Sequence, residues 1–310
     1  MPSLFLLCDQ DPPGLPAQGQ LNASGANASA LTRGACDADG ENYAFDDDDL
    51  VTLEVDLSSS STVTTSRTKE VKTYKFITPA TGDVNLDYLQ DVVNTGGTIT
   101  TPTTKGFEWL NTNEMISVRA WSYGNKTNYS DPTEGNYVLT TDQETNGYNE
   151  VLYFSGDRTY GSDGKISVPL QHMLSRIVVN VYYDDGSTLD GITIGDGAMS
   201  LPKTATFDPT KANPWTIVGT TEKETIIPKE ETQYTCYSAV LIPTTYAAGG
   251  NFINITIGSE TFHYVIPTGG ITLASGKQYN YDITIKNRAI TFTVTVTQWE
   301  NYTRPIDFSE

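Results

Sequence analysis

The chain is 310 residues long, 18% charged and 37% hydrophobic, with Thr, Asn, Gly and Tyr abundant, a profile that fits a β-rich protein with wet surfaces and not a coiled coil or a low-complexity tail. Nineteen Lys plus Arg stand against 38 Asp plus Glu, and the resulting net charge of −19 repels phosphate backbones and anionic lipid, so nucleic acid is not an expected partner. No apolar run approaches the roughly 18 residues of a membrane-spanning helix, and the length suits two domains that each bury a core.

At the N-terminus, Leu4-Phe5-Leu6-Leu7-Cys8 has two readings. It is either the end of an apolar signal region followed by a lipid-accepting Cys8, or an apolar stub; no basic start precedes it and the usual small residue before the cysteine is missing. The three cysteines, Cys8, Cys36 and Cys236, form no metal spacing and no CxxC pair, which favours Cys36 and Cys236 as free thiols over a disulfide. Residues 9–48 are rich in Pro, Gly, Ala, Asn and Asp and end in Asp46-Asp47-Asp48-Asp49. Little there offsets the entropy of ordering, so residues 1–48 read as a leader. Within it Arg33 is an isolated basic residue among small ones, an accessible tryptic site with Gly34 as the new start; Arg67, in a Ser/Thr-rich stretch, is the alternative.

Strand alternation begins at Leu50–Leu57 and resumes at Val71–Thr78. Asp83–Asn94 places Leu86, Leu89 and Val93 on one helical face and predicts a short helix. Further strands are expected at Glu114–Tyr123, Glu150–Phe154, Val168–Tyr183, Cys236–Ile242, Phe252–Ile257 and Phe262–Ile266. The last forty residues carry the clearest pattern. Tyr279, Tyr281, Ile283 and Ile285 alternate with polar residues, a Lys286-Asn287-Arg288 break follows, and then Ile290, Phe292, Val294 and Val296 alternate with threonines. Opposite-facing successive side chains make this a hairpin of two half-buried strands. Short strands at close spacing, with almost no helix, predict an all-β chain of two sandwiches in tandem, 49–167 and 168–310.

The run Leu170-Gln171-His172-Met173-Leu174-Ser175-Arg176-Ile177-Val178-Val179, the later Ser275-Gly276-Lys277-Gln278-Tyr279-Asn280-Tyr281-Asp282-Ile283 and the closing Trp299 together resemble the fimbrillin-like family of Bacteroidetes. The resemblance implies a subunit of a type V pilus, a surface lipoprotein built from two transthyretin-like β-sandwich domains. It also implies a route of assembly: export as a lipoprotein lipidated on Cys8, cleavage between Arg33 and Gly34 by an arginine-specific protease, and filling of the vacated groove by a donor strand. Residues 291–299 match the terminal strand of the family, with the apolar row Ile290, Phe292, Val294 and Val296 as the donor-strand candidate. The implied partners are other pilin subunits and the maturation protease, and the implied location is an outer-membrane-associated fimbria.

Catalytic chemistry has little foothold in the sequence. His172 and His263, the two histidines, are far apart and flanked by strand-like residues, so each reads as a structurally hydrogen-bonded histidine sooner than as a general base. No GxSxG elbow, HExxH pair or P-loop occurs. Asp37-Ala38-Asp39-Gly40 imitates the start of a calcium loop without its later carboxylates. Trp109, Trp121, Tyr123 and Tyr129 could stack on sugars, although core packing explains Trp121 better. No cofactor, metal or enzymatic activity is expected. The leading expectation is a structural pilus subunit; the competitor is a tip adhesin or glycan-binding lipoprotein of the same fold, with a host protein or glycan as its ligand.

Overall fold

The structure, a computed structural model, describes residues 5–8, 17–22, 50–56, 69–77, 87–95, 98–100, 107–109, 115–123, 133, 136–147, 149–159, 168–183, 189–197, 199, 201–219, 224–286, 289–299 and 306–307. In chain order the strands are β1 (Phe5–Cys8), β2 (Ala17–Asn22), β3 (Leu50–Asp56), β4 (Lys69–Ile77), β5 (Asp87–Thr95), β6 (Thr98–Thr100), β7 (Phe107–Trp109) and β8 (Met115–Ser122). After β9 (Tyr137–Val138) comes one short helix, α1 (Gln143–Asn146), and then β10 (Leu152–Thr159), β11 (Gln171–His172) and β12 (Ser175–Tyr183). The remainder is β13 (Gly191–Ile194), β14 (Thr204–Phe207), β15 (Trp215–Ile217), β16 (Lys229–Thr232), β17 (Cys236–Leu241), β18 (Thr245–Tyr246), β19 (Asn251–Ile257), β20 (Glu260–Val265), β21 (Ile271–Thr272), β22 (Lys277–Lys286), β23 (Ala289–Gln298) and β24 (Ile306–Asp307). The chain is all-β, as its alternation predicts.

Two sheets dominate. The first runs β11-β10-β8-β3-β4-β5-β24, with β6 on β5; the second runs β16-β17-β12-β22-β23. In the first, β3 sits centrally and is buried from Leu50 to Val55 on both faces. That burial includes Glu54, which is tolerable because Arg119 closes a two-pronged contact on its carboxylate (2.9 and 2.6 Å) and Lys69 adds a third at 3.1 Å. Burial by itself would raise the Glu54 pKa; the Arg119 and Lys69 hydrogen bonds outweigh it and hold the carboxyl below its ordinary value. In the second sheet β12 and β22 pair in parallel although their neighbours are antiparallel. Facing it lies the three-stranded sheet β13-β19-β20, packed through Phe252 and Tyr264, whose rings approach Tyr281 at 5.8 and 5.1 Å.

The two halves of the chain are joined by more than a linker. Strand β9 pairs with β14, and the buried Gln143 of α1 bridges to β17, donating to the Val240 carbonyl and accepting from its N–H, both at 3.0 Å. Buried side chains from Val51 to Trp299 form one continuous cluster. Trp121 is fully buried in it, as its strand suggested.

The segment expected as a helix, Asp83–Asn94, is instead a strand from Asp87, hydrogen-bonded to β4 with Thr73 opposite Val92. A spacing of four residues, such as Leu89 to Val93, puts side chains on one face of a strand as well as of a helix. The β-branched Val92, Val93 and Thr95, with β4 and β6 on either side, decide the outcome. A second difference is β2, which lies inside the stretch read as unstructured leader. Its pairing to β1 and β7 uses backbone groups, so it needs no apolar side-chain pattern that a sequence would display.

Candidate functional site

The terminal hairpin is paired end to end, from Lys277 opposite Gln298 to Lys286 opposite Ala289, without a bulge. Its first strand turns Tyr279, Tyr281, Ile283 and Ile285 into the core. The second, β23, is the outermost strand of its sheet, and its apolar row is covered unevenly. Ile290 and Phe292 are half-buried, with Phe292 packed on Tyr264 of β20 at 5.3 Å between ring centroids. Val294 and Val296 are 39% and 54% exposed. The facing sheet ends at β20, so the row runs out from under its cover before the strand ends.

Where β23 ends, its chain is pinned. Trp299 is 1% exposed and stacks flat on His172, with centroids 3.9 Å apart and 7° between planes. The Arg176 guanidinium lies 5.9 Å from the Trp299 ring, within cation–π range. His172 in turn meets Glu150 (Nδ1 to Oε2, 3.0 Å), both side chains buried, and Arg176 donates to Gln278 Oε1 at 2.9 Å. Backbone completes the anchor: Trp299 N–H donates to the Gly276 carbonyl at 2.9 Å and the Gln298 amide donates to the same oxygen at 2.7 Å. Gly276 has φ +68, and a Cβ there would sit 3.1 Å from the His172 carbonyl oxygen, so the turn calls for glycine. The stretches 170–179 and 275–283 and the closing Trp299 thus converge on one buried junction. Its chemistry is cohesive; a histidine sealed between a carboxylate and an indole has no approach for substrate.

A second locus lies at the other end of the chain. Strands β1 and β2 form a hairpin, Phe5 opposite Asn22, and β2 pairs with β7, Ala17 opposite Trp109. Near the C-terminus β24 adds in parallel to the edge of β5, Ile306 opposite Asp87 and Asp307 opposite Tyr88. It lies against β1 and β2 as well.

Cys8 ends β1, opposite Gly19. Arg33 and Gly34 fall outside the described residues, as do Cys36, the Asp37–Gly40 and Asp46–Asp49 stretches, Arg67 and Tyr129. Cys236 begins β17, opposite Asn180 of β12. His263 is hydrogen-bonded to Asn254 Oδ1 at 2.6 Å through its Nδ1, and Asn254 donates onward to the Gly195 carbonyl at 2.8 Å. Among the described residues no group of His, Cys, Asp and Glu could hold a metal ion. Sequence reasoning missed the partners of Trp299. Glu150 and Arg176 are charged residues at strand starts that gave no sign of being buried together, and only the Gly276 turn offered a local signal.

The model of the fimbrillin-like family matches residues 39–299. In fold the chain is similar to the crystal structure of a candidate cell adhesion protein from Bacteroides uniformis, with a TM-score of 0.59 at 14% identity over 94% of this chain and 100% of that one. A second such protein, from Bacteroides ovatus, gives 0.56 at 16% identity over 84% of this chain and 90% of the other. No curated protein matches in sequence. With its family motifs gathered at one junction and the match running from Asp39 to Trp299, the chain belongs to the fimbrillin-like family.

Proposed function

We propose that this chain is the precursor of a structural subunit of a cell-surface fimbria, exported as a lipoprotein through Cys8, matured by cleavage between Arg33 and Gly34, and polymerised by strand addition. Two sandwich units divided near residue 168, with 137–147 reaching from the first onto the second, form its body. The observation that carries this reading is the pairing of β2 with β7. Strand β2 lies between Cys8 and Arg33, so a cut at Arg33 turns a covalently tethered strand into a peptide held by side-on contacts and leaves the β7 edge available to another strand. The C-terminal stretch 289–310 is the donor in this scheme. It contains the half-covered row Ile290, Phe292, Val294 and Val296, and its end, β24, already lies on a sheet edge as an added strand. His172 and His263 are both committed to structural contacts, in keeping with a subunit that has no general base.

Limited trypsinolysis of the purified chain tests the scheme. The expected product begins at Gly34 and forms SDS-resistant ladders, and removal of residues 300–310 weakens or abolishes those ladders. A product beginning only at Thr68 moves the site, and complete resistance sinks the maturation step. Ladders that persist in the truncated, cleaved chain exclude 300–310 as the donor, and ladders that also survive Phe292→Asp place the donor outside 289–310. The alternative, a tip or glycan-binding subunit, has one observation in its favour: Tyr182 is 54% exposed on the face of β12 where Asn180 donates to Asp282 at 2.9 Å. Binding to a glycan array that is lost on Tyr182→Ala would favour it.

A further inference from the structure

Natural sheets protect their outer strands from pairing with other molecules by keeping them short, charging them or interrupting them. Two free edges of this molecule follow that rule. The far edge of the second sheet, β16, is the four-residue Lys229-Glu230-Glu231-Thr232 with a register shift between Glu230 and Thr232. The edge strand β20 carries Glu260 and His263 and also has a shifted register against β19. Strand β23 has none of these devices. It is ten residues long and in unbroken register with β22. Ala289–Gln298 contains no charged residue, proline or glycine, in a chain whose net charge is −19.

We infer that β23 is a homodimerisation edge, pairing antiparallel with the β23 of a second copy about a two-fold axis at Thr293. The register follows from the side chains. Antiparallel partners on one face must share parity, so the apolar row of one strand meets that of the other. Centring on Thr293 sets Phe292 opposite Val294 and Ile290 opposite Val296 of the second copy, and the converse. It is the register in which all four apolar residues find apolar mates. Moving the axis by one residue either way leaves one of them opposite Gln298 or past the start of β23. On the other face Thr291 meets Thr295, and Thr293 meets itself. The exposed Val294 and Val296 thereby gain the cover that the facing sheet does not extend to them. A second copy is the occupant that fits because two chains of −19 repel least where they present an uncharged strip. A single strand pair is a small interface, so the dimer forms with modest, concentration-dependent affinity. The pairing does not depend on leader cleavage and belongs to the intact chain.

The experiment uses the full, uncleaved chain. Sedimentation velocity over a concentration series is expected to show the mass moving from one copy to two. In a background with Cys8, Cys36 and Cys236 replaced by Ser, Thr293→Cys should cross-link to itself through a short bismaleimide. Thr297→Cys should not, since the two copies of that position lie eight residues apart along the pair, roughly 27 Å at ~3.4 Å per residue. Val294→Glu should weaken the dimer at least about tenfold by facing an unpaired charge toward Phe292 of the second copy. Thr293→Lys, which points away from the core opposite Asp282 of its own sheet and brings two like charges together at the axis, should do the same with the melting temperature not lowered. A monomer at every concentration overturns the inference. So does a dimer that cross-links in the Thr297→Cys variant, or one that survives both Val294→Glu and Thr293→Lys.

Discussion

Replacing Trp299 by Ala is the most incisive single perturbation of the junction that pins the end of β23. The indole is 1% exposed, stacked on His172 at 3.9 Å and within 5.9 Å of the Arg176 guanidinium. Truncating a buried aromatic side chain to Ala costs about 3–5 kcal/mol through lost transfer energy and the cavity left behind. The upper half of that range applies here, because the cavity would be walled by the buried His172–Glu150 pair and by Arg176, groups that pack poorly around an empty volume. A loss of about 4–5 kcal/mol is a large share of the ~5–15 kcal/mol by which a folded domain is stable, and corresponds to a fall in melting temperature on the order of 10 °C. Urea unfolding followed by circular dichroism measures the loss, and amide exchange along β23 should accelerate more than along β3, which lies in the other large sheet. Trp299→Phe, which keeps a ring on His172, should recover roughly half of the loss. A cost below about 1 kcal/mol, or equal exchange in β3 and β23, would refute the claim that Trp299 anchors the terminal strand.

Phe292→Asp should destabilise by about 2–4 kcal/mol because it removes the contact with Tyr264 and buries an unpaired charge, whereas Val294→Asp, at a position 39% exposed, should cost less than about 1 kcal/mol; equal costs in urea unfolding would mean the row is covered uniformly. Glu54 is held below its ordinary pKa of 4.5 in the folded state, so its pairing with Arg119 and Lys69 contributes fully above that value and is lost as pH falls through the lower folded one. The stability difference between the native chain and Glu54→Gln should therefore shrink as pH is lowered from about 5, and a gap that does not change with pH would show that the pairing contributes nothing. Gly270→Ala places a Cβ 2.5 Å from the Tyr246 carbonyl oxygen at φ +79 and should cost more than the ~1–2 kcal/mol of left-handed backbone strain alone. Gly249→Ala, at φ +87 with nothing within 4 Å, should cost only that strain; thermal melts of the two variants separate clash from backbone.

The order of apolar and polar residues was enough to establish an all-β chain, and it placed the terminal hairpin and the strands around Trp121 within a residue or two of where they lie. Alternation is a local property, imposed by the two-residue repeat of the strand itself, and so it is written locally. The same reasoning misassigned 83–94, where a four-residue spacing serves a strand and a helix alike and only the neighbouring β4 and β6 choose between them. It could not find the pairing of β2 or β24, because a strand added to an edge is held by backbone groups that every residue carries. The row from Ile290 to Val296 was legible as apolar, but how much of it is covered depends on the width of a different sheet, which ends at β20. Likewise Glu150, His172, Arg176, Gly276 and Trp299 are scattered over 150 positions of the chain. Each reads alone as an ordinary strand or turn residue. The parallel pairing of β12 with β22 carries Arg176 to Gln278, and the hairpin return brings Trp299 back to Gly276 and onto His172. That closure joins residues distant in sequence, and long-range contacts of this kind exist only once the chain has folded.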